Sequence, residues 1–136
     1  MRETQVSAFL ENRPGRLLRL LTTLAEAKIN VIAHNIVDAS DFGIIHLIVD
    51  DPQGATEAIH KAGITCSTTT VLKVAVPDEP GGFVDRVLQP LAEAQVNIEY
   101  SYAVPSVEQG DGAPKANIIL KVDHTERAEK ALQEAS

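Results

Sequence analysis

The 136-residue sequence predicts an α+β fold made of two tandem copies of one β-α-β-β-α-β unit. Three observations carry this. First, the chain repeats itself. Glu11-Asn12-Arg13-Pro14-Gly15-Arg16-Leu17-Leu18 is echoed by Asp78-Glu79-Pro80-Gly81-Gly82-Phe83-Val84, and Leu24-Ala25-Glu26-Ala27-Lys28-Ile29-Asn30-Val31 by Leu91-Ala92-Glu93-Ala94-Gln95-Val96-Asn97-Ile98. The offset is 66 residues at the first echo and 67 at the second, a single extra residue near Pro90 making the difference. Second, strand-like period-two segments alternate with helix-like stripes in the same order in both copies. Third, Pro and Gly interrupt both copies at matching places.

Val6, Ala8 and Leu10 alternate over residues 4–10, as in a half-buried strand. Asn12-Arg13-Pro14-Gly15 breaks it. Pro14 suits a first helical position and Asn12 a capping side chain. Leu17, Leu20, Leu21, Leu24 and Ala25 recur at three and four, which predicts a helix to about Ala27. The β-branched run Ile29–Val37 and the segment Ile44–Val49 predict a hairpin turned at Asp38–Gly43. Pro52 opens a second helix over 53–62, and Gly63 stops it. Ile64–Val76 is one long Thr/Val-rich strand, ending the first copy and opening the second. The second copy follows with a helix lined by Phe83, Val84, Val87, Leu88 and Leu91. A strand at Val96–Val104, a polar loop at Pro105–Pro114, a strand at Asn117–Val122 and a helix at Thr125–Glu134 complete it.

Each copy is thus a ferredoxin-like split unit, an antiparallel sheet with its helices on one face. The modules are placed at 1–72 and 73–136, and are expected to share a core or a continuous sheet. The second copy has no residues for its own last strand. That would leave a strand edge in need of cover, so a homodimer is expected.

Composition narrows the function. A formal net charge of −7 and a pI near 5.0 disfavour a nucleic-acid partner, and 4% aromatic residues leave few rings for base stacking. Arg13, Arg16 and Arg19 form the one local basic cluster, read as a solvated helix face. The N-terminus lacks the apolar core of a signal peptide, and no apolar run reaches the roughly 20 residues that span a bilayer. The expected location is the cytoplasm, with no membrane contact. Cys66 is the single cysteine, so it has no intramolecular disulfide partner. His34 and His46 fall in adjacent strands and could be cross-strand neighbours, but further metal ligands are missing, so neither metal nor cofactor is expected. His60 and His124 read as surface residues. Tyr100 and Tyr102 alternate on one strand face. No nucleophile, acid–base pair or metal set is visible, and no catalytic residue is assigned.

The placement of the breakers resembles the ACT domain, and in particular stand-alone tandem ACT proteins. An acidic or amide residue and Pro-Gly precede the first helix, and Ile/Val-Asn-Ile/Val opens the next strand. Ser40-Asp41-Phe42-Gly43-Ile44-Ile45 and Val49-Asp50-Asp51-Pro52 add to the likeness. The resemblance covers almost the whole chain. It implies a non-catalytic regulatory module that binds an amino acid at a seam between modules and acts on an enzyme or regulator of amino-acid metabolism. Carried onto this sequence, the ligand-contacting positions are Asn12, Arg13, Pro14, Gly15, Arg16 and Leu17, with Asn30 and Val31 closing the pocket. Asp78, Pro80, Gly81, Asn97 and Ile98 are their counterparts. Backbone amides from Arg13 to Arg16 would hold the ligand carboxylate, helped by the helix dipole. Asp78 and Glu79 disfavour a carboxylate at the second turn, so the first is preferred. Asn-x-Pro-Gly is equally a good turn and helix start without any ligand. The alternative is therefore an interaction module with an empty seam; a small hydrolase on the same topology finds no supporting residues.

Overall fold

A computed structural model describes residues 1–105 and 114–135. The elements run β1 (Arg2–Glu11), α1 (Arg16–Glu26), β2 (Val31–Ala39), β3 (Phe42–Val49), α2 (Pro52–Lys61) and β4 (Cys66–Pro77). A π-helical turn follows at Val84–Leu88, then α3 (Gln89–Glu93), β5 (Ile98–Val104), β6 (Lys115–Val122) and α4 (Thr125–Ala135). The expected order is present in both copies. Most of the loop expected at Pro105–Pro114 lies outside the described residues.

The chain divides into two compact units, Thr4–Thr70 and Val71–Ser136 together with Met1–Glu3. In the first, β3 pairs antiparallel with both β1 and β2, and Phe9 N donates to Thr65 O at the entry to β4, 2.9 Å. Val6, Ala8, Ile45, Leu47 and Val49 point to one sheet face. There they meet Leu20 and Leu24 of α1 and Ala55 and Ile59 of α2. Period-two burial on the strands and three-four burial on the helices thus build one core.

In the second unit β6 pairs antiparallel with β4 and β5. Leu72, Val76, Leu120 and Val122 pack against Val87, Leu91, Ala128 and Leu132. Among the described residues no strand follows α4. The first residues of β1 stand beside β4 instead, and Lys73 N donates to Met1 O at 2.7 Å. Arg2 reinforces this by a two-pronged ion pair to Glu129 of α4, at 2.7 and 3.0 Å. This cover reaches β4 as far as Lys73, and β4 itself runs on to Pro77.

Two devices explain why the sequence echoes itself. α1 ends with Lys28 at φ +61°, and Ile29 N reaches back to Leu24 O; Gln95 at φ +58° and Val96 N to Leu91 O repeat this at the end of α3. These are left-handed helix stops that drop Ile29 and Val96 into their cores. Gly63 does the same for α2, as expected, at φ +79°. Next, Asn30 N donates to Asp50 Oδ1 and Asp50 N to Asn30 O, at 3.0 and 3.2 Å. Asn97 and Asp123 repeat the exchange at 2.9 and 3.1 Å.

The copies differ in their first helix. α1 is regular, whereas its counterpart opens with the π turn at Val84–Leu88. Buried Leu20 and Leu24 correspond to Val87 and Leu91 at an offset of 67 residues, while Gly15 and Gly81 are offset by 66. The extra residue is therefore absorbed inside that wide turn. Pro90 has no N–H to give the carbonyl four residues back, which favours widening there.

Candidate functional site

Each Pro-Gly pair makes a tight turn. Arg16 N donates to Arg13 O at 3.3 Å, with Gly15 at φ +85°, ψ −6°. Gly82 N donates to Glu79 O at 3.0 Å, with Gly81 at φ +81°. Pro supplies the fixed φ of the second turn position and Gly the positive φ of the third, as in a type II turn. The turn carbonyls then start the helices, Gly15 O accepting from Arg19 N at 3.0 Å and Gly81 O from Asp85 N at 2.9 Å.

This geometry corrects three expectations. Pro14 lies in the turn, and α1 begins at Arg16 with Gly15 as its cap. Asn12 is not a capping side chain: its amide donates to Ser40 O at 3.1 Å, and its N–H to Asp41 O at 3.0 Å, tying the turn to the β2–β3 hairpin. Asp78 N makes the matching bond to Pro114 O, 3.1 Å. Finally, Arg13 N bonds Glu11 O at 2.9 Å and Arg16 N is the turn bond, so neither amide is open to a carboxylate. No side chain caps α1. That leaves Leu17 and Leu18 as the first-turn N–H groups available beyond Gly15. A Cβ built on Gly15 would meet nothing within 4 Å, so the turn is open above its backbone.

The charges around the turns are opposite. Both Arg13 and Arg16 lean on Glu11, at 3.7 and 3.4 Å. α1 has no acidic residue in its first turn. At the second turn Asp78 and Glu79 are exposed, and Asp85 sits in the first helical turn with a carboxylate oxygen 3.8 Å from a Cβ built on Gly81. Gly82, where the first copy has Arg16, presses against the Pro77 carbonyl so closely that no Cβ fits. The side chains of Asn30 and Asn97 are exposed, and their backbones make the Asp50 and Asp123 exchanges; Val31 and Ile98 are half-buried beside the cores.

Other candidates resolve without chemistry. Asn35, not His34, faces His46 across the hairpin. His46 is buried, with Nδ1 2.9 Å from Ser7 Oγ and 3.2 Å from Gln5 Nε2. Burial pushes its pKa down. Burial pushes the Cys66 thiol up, and that thiol points at Thr56 O. Tyr102 is raised by burial and by Tyr100. Arg19 is more than a solvated side chain, since its guanidinium donates to Ala62 O at the end of α2. Among the described residues no cluster of His, Cys, Asp and Glu could hold a metal ion, and no helix is long and apolar enough to cross a membrane.

The sequence profile of the ACT domain pair family matches residues 1–135. Among solved structures, protein BT0572 from Bacteroides thetaiotaomicron is 32% identical with a TM-score of 0.88, covering 98% of this chain and 88% of that one. The ligand-free regulatory subunit of aspartate kinase from Thermus thermophilus is 21% identical with a TM-score of 0.66, covering 97% and 91%. Its counterpart from Thermus flavus is 19% identical with a TM-score of 0.62, covering 99% and 93%. Among curated proteins, none matches the chain.

Proposed function

The chain belongs to the ACT domain pair family, and from that premise we propose that it is a non-catalytic, amino-acid-binding regulatory protein whose ligand carboxylate docks on the Pro14-Gly15 turn. The carrying observation is an uncapped α1 N-terminus behind an open Gly15, with no acid in the first helical turn. The Gly15, Leu17 and Leu18 amides and the helix dipole favour an anion there. Asp78, Glu79 and Asp85 disfavour one at the second turn. Asn12 acts indirectly, holding the turn to the Ser40–Asp41 hairpin. Binding regulates only if ligand-bound and ligand-free states differ in affinity for a protein partner. The structures of aspartate kinase regulatory subunits suggest that partner class, an enzyme of amino-acid metabolism.

Amide chemical-shift mapping against the twenty amino acids tests this. Saturable changes at Gly15, Leu17 and Leu18, with Gly81 and Gly82 silent, support it. Changes centred on Gly81, or none, overturn it.

A second reading has its own observation. Phe9 and Phe42 stack with centroids 5.0 Å apart, and Val37 and Ile44 lie on the same sheet face, all four exposed. A surface of this kind suits a protein partner, including a second copy. Sedimentation of the wild type and of Phe42→Ser separates that reading, because only a dimer through this face dissociates on substitution.

A further inference from the structure

Arg19 and Arg86 hold the same place in the two copies, 67 residues apart. In the first unit Arg19 caps α2 through the Ala62 carbonyl, and Gly63-Ile64-Thr65 runs on past it, leaving a cavity of only about 120 Å³. In the second unit neither Arg86 nor Lys73 has a side-chain hydrogen bond or ion pair among the described residues. Both border a cavity of about 280 Å³ that is also lined by Met1, Val74, Ala75, Val87, Leu132 and Gln133; Val74, Val87 and Leu132 are buried, while Met1 and Ala75 are exposed.

We propose that this cavity, bounded by β4, the π turn and the end of α4, binds a small carboxylic acid with a branched aliphatic body and no ammonium group. Size, charge and lining agree. The volume falls just below the range of ligand pockets, which start near roughly 300 Å³, and so suits only a small ligand of about six carbons. The guanidinium fork of Arg86 matches a carboxylate. The three aliphatic side chains suit a hydrocarbon body.

The lining contains no carboxylate, so an amino acid's ammonium would go unmet. Glu129 of α4 is held by Arg2, and Asp85 of the π turn lies against the Gly81 turn. On a chain of net charge −7 a cationic cleft is a local exception rather than a general surface property. The wide turn contributes to it directly, because Arg86 and Val87 both belong to the π turn that the first copy lacks. This site is separate from the Pro14-Gly15 turn and stands or falls independently of it.

Calorimetric titration with sodium 4-methylpentanoate, with amide shifts recorded on the same samples, tests the proposal. The expected result is saturable one-to-one binding with shifts at Val74, Val87 and Leu132. Arg86→Gln should weaken it about tenfold or more, as expected for loss of a charge-assisted contact, and Lys73→Gln, on the opposite sheet face from Val74, serves as the control that should not. Both side chains are exposed, so the variants should fold as the wild type does. No saturation by about 10 mM, shifts confined to Gly15, Leu17 and Leu18, unchanged affinity in Arg86→Gln, or tighter binding of inorganic phosphate than of the acid would each overturn it.

Discussion

Gly15 and Gly81 hold the same backbone conformation, and the residues around them decide what each turn can accept. Leu18 is 71% exposed in the first turn of α1, where no acid is present. Leu18→Glu should therefore satisfy the helix itself, raising the stability of the free protein by about 0.5–1 kcal/mol while weakening amino-acid binding. Gain of stability with loss of affinity is the signature of a competing carboxylate; a merely damaged turn would lose both. Gly82→Ala should cost about 1–3 kcal/mol in urea unfolding, because its Cβ would run into the Pro77 carbonyl. His46 gives a pH dependence. Burial lowers its folded pKa, so the unfolded chain binds the proton more readily. The stability it contributes is complete above about pH 6.5 and lost as pH falls below that value. Urea midpoints between about pH 7 and pH 5 should fall less steeply in His46→Gln.

At the scale of elements, the echo that marks the sequence has more to do with stopping helices than with binding. Lys28 and Gln95 take left-handed conformations that side chains disfavour. Lys28→Gly and Gln95→Gly should each stabilise by about 0.5–1 kcal/mol in chemical unfolding. Asp50→Ala and Asp123→Ala should cost about 1 kcal/mol each, and by similar amounts, since each removes the same bond to an Asn N–H. The order of elements was legible because period-two and three-four patterns are local and strong. The Gly63 stop was legible as a glycine, but the same stop made by Lys28 and Gln95 carried no residue-type signal. The Asp50 and Asp123 partners went unseen because α2 and α4 share little sequence outside the repeated loops. The inserted residue was visible as a change of offset. Its form, a π turn before Pro90, depends on which buried side chains keep their register, and that is a tertiary property. The two Pro-Gly turns were legible as turns. Which amides remain open was not, because Arg13 and Arg16 N–H groups find local carbonyls only once the turn is folded.

At the scale of the whole molecule, the start of β1 stands beside β4 up to Lys73 and is tied to α4 through Arg2 and Glu129. Deleting Met1–Glu3 should lower hydrogen-exchange protection along β4 from Lys73 onward and leave the α1–α2 core of the first unit protected. Twofold repetition with unequal charge is the reason one turn, rather than two, is proposed as a ligand site. The most direct test is thermal unfolding of the wild type and Leu18→Glu against each of the twenty amino acids at millimolar concentration. Ligand at about a hundredfold over its dissociation constant adds roughly 2.7 kcal/mol, which is several degrees for a chain of this length. The predicted result is a clear upward shift with one or a few amino acids, lost in Leu18→Glu even though that variant melts higher on its own. No shift with any amino acid, or a shift that survives Leu18→Glu unchanged, would contradict binding at the Pro14-Gly15 turn.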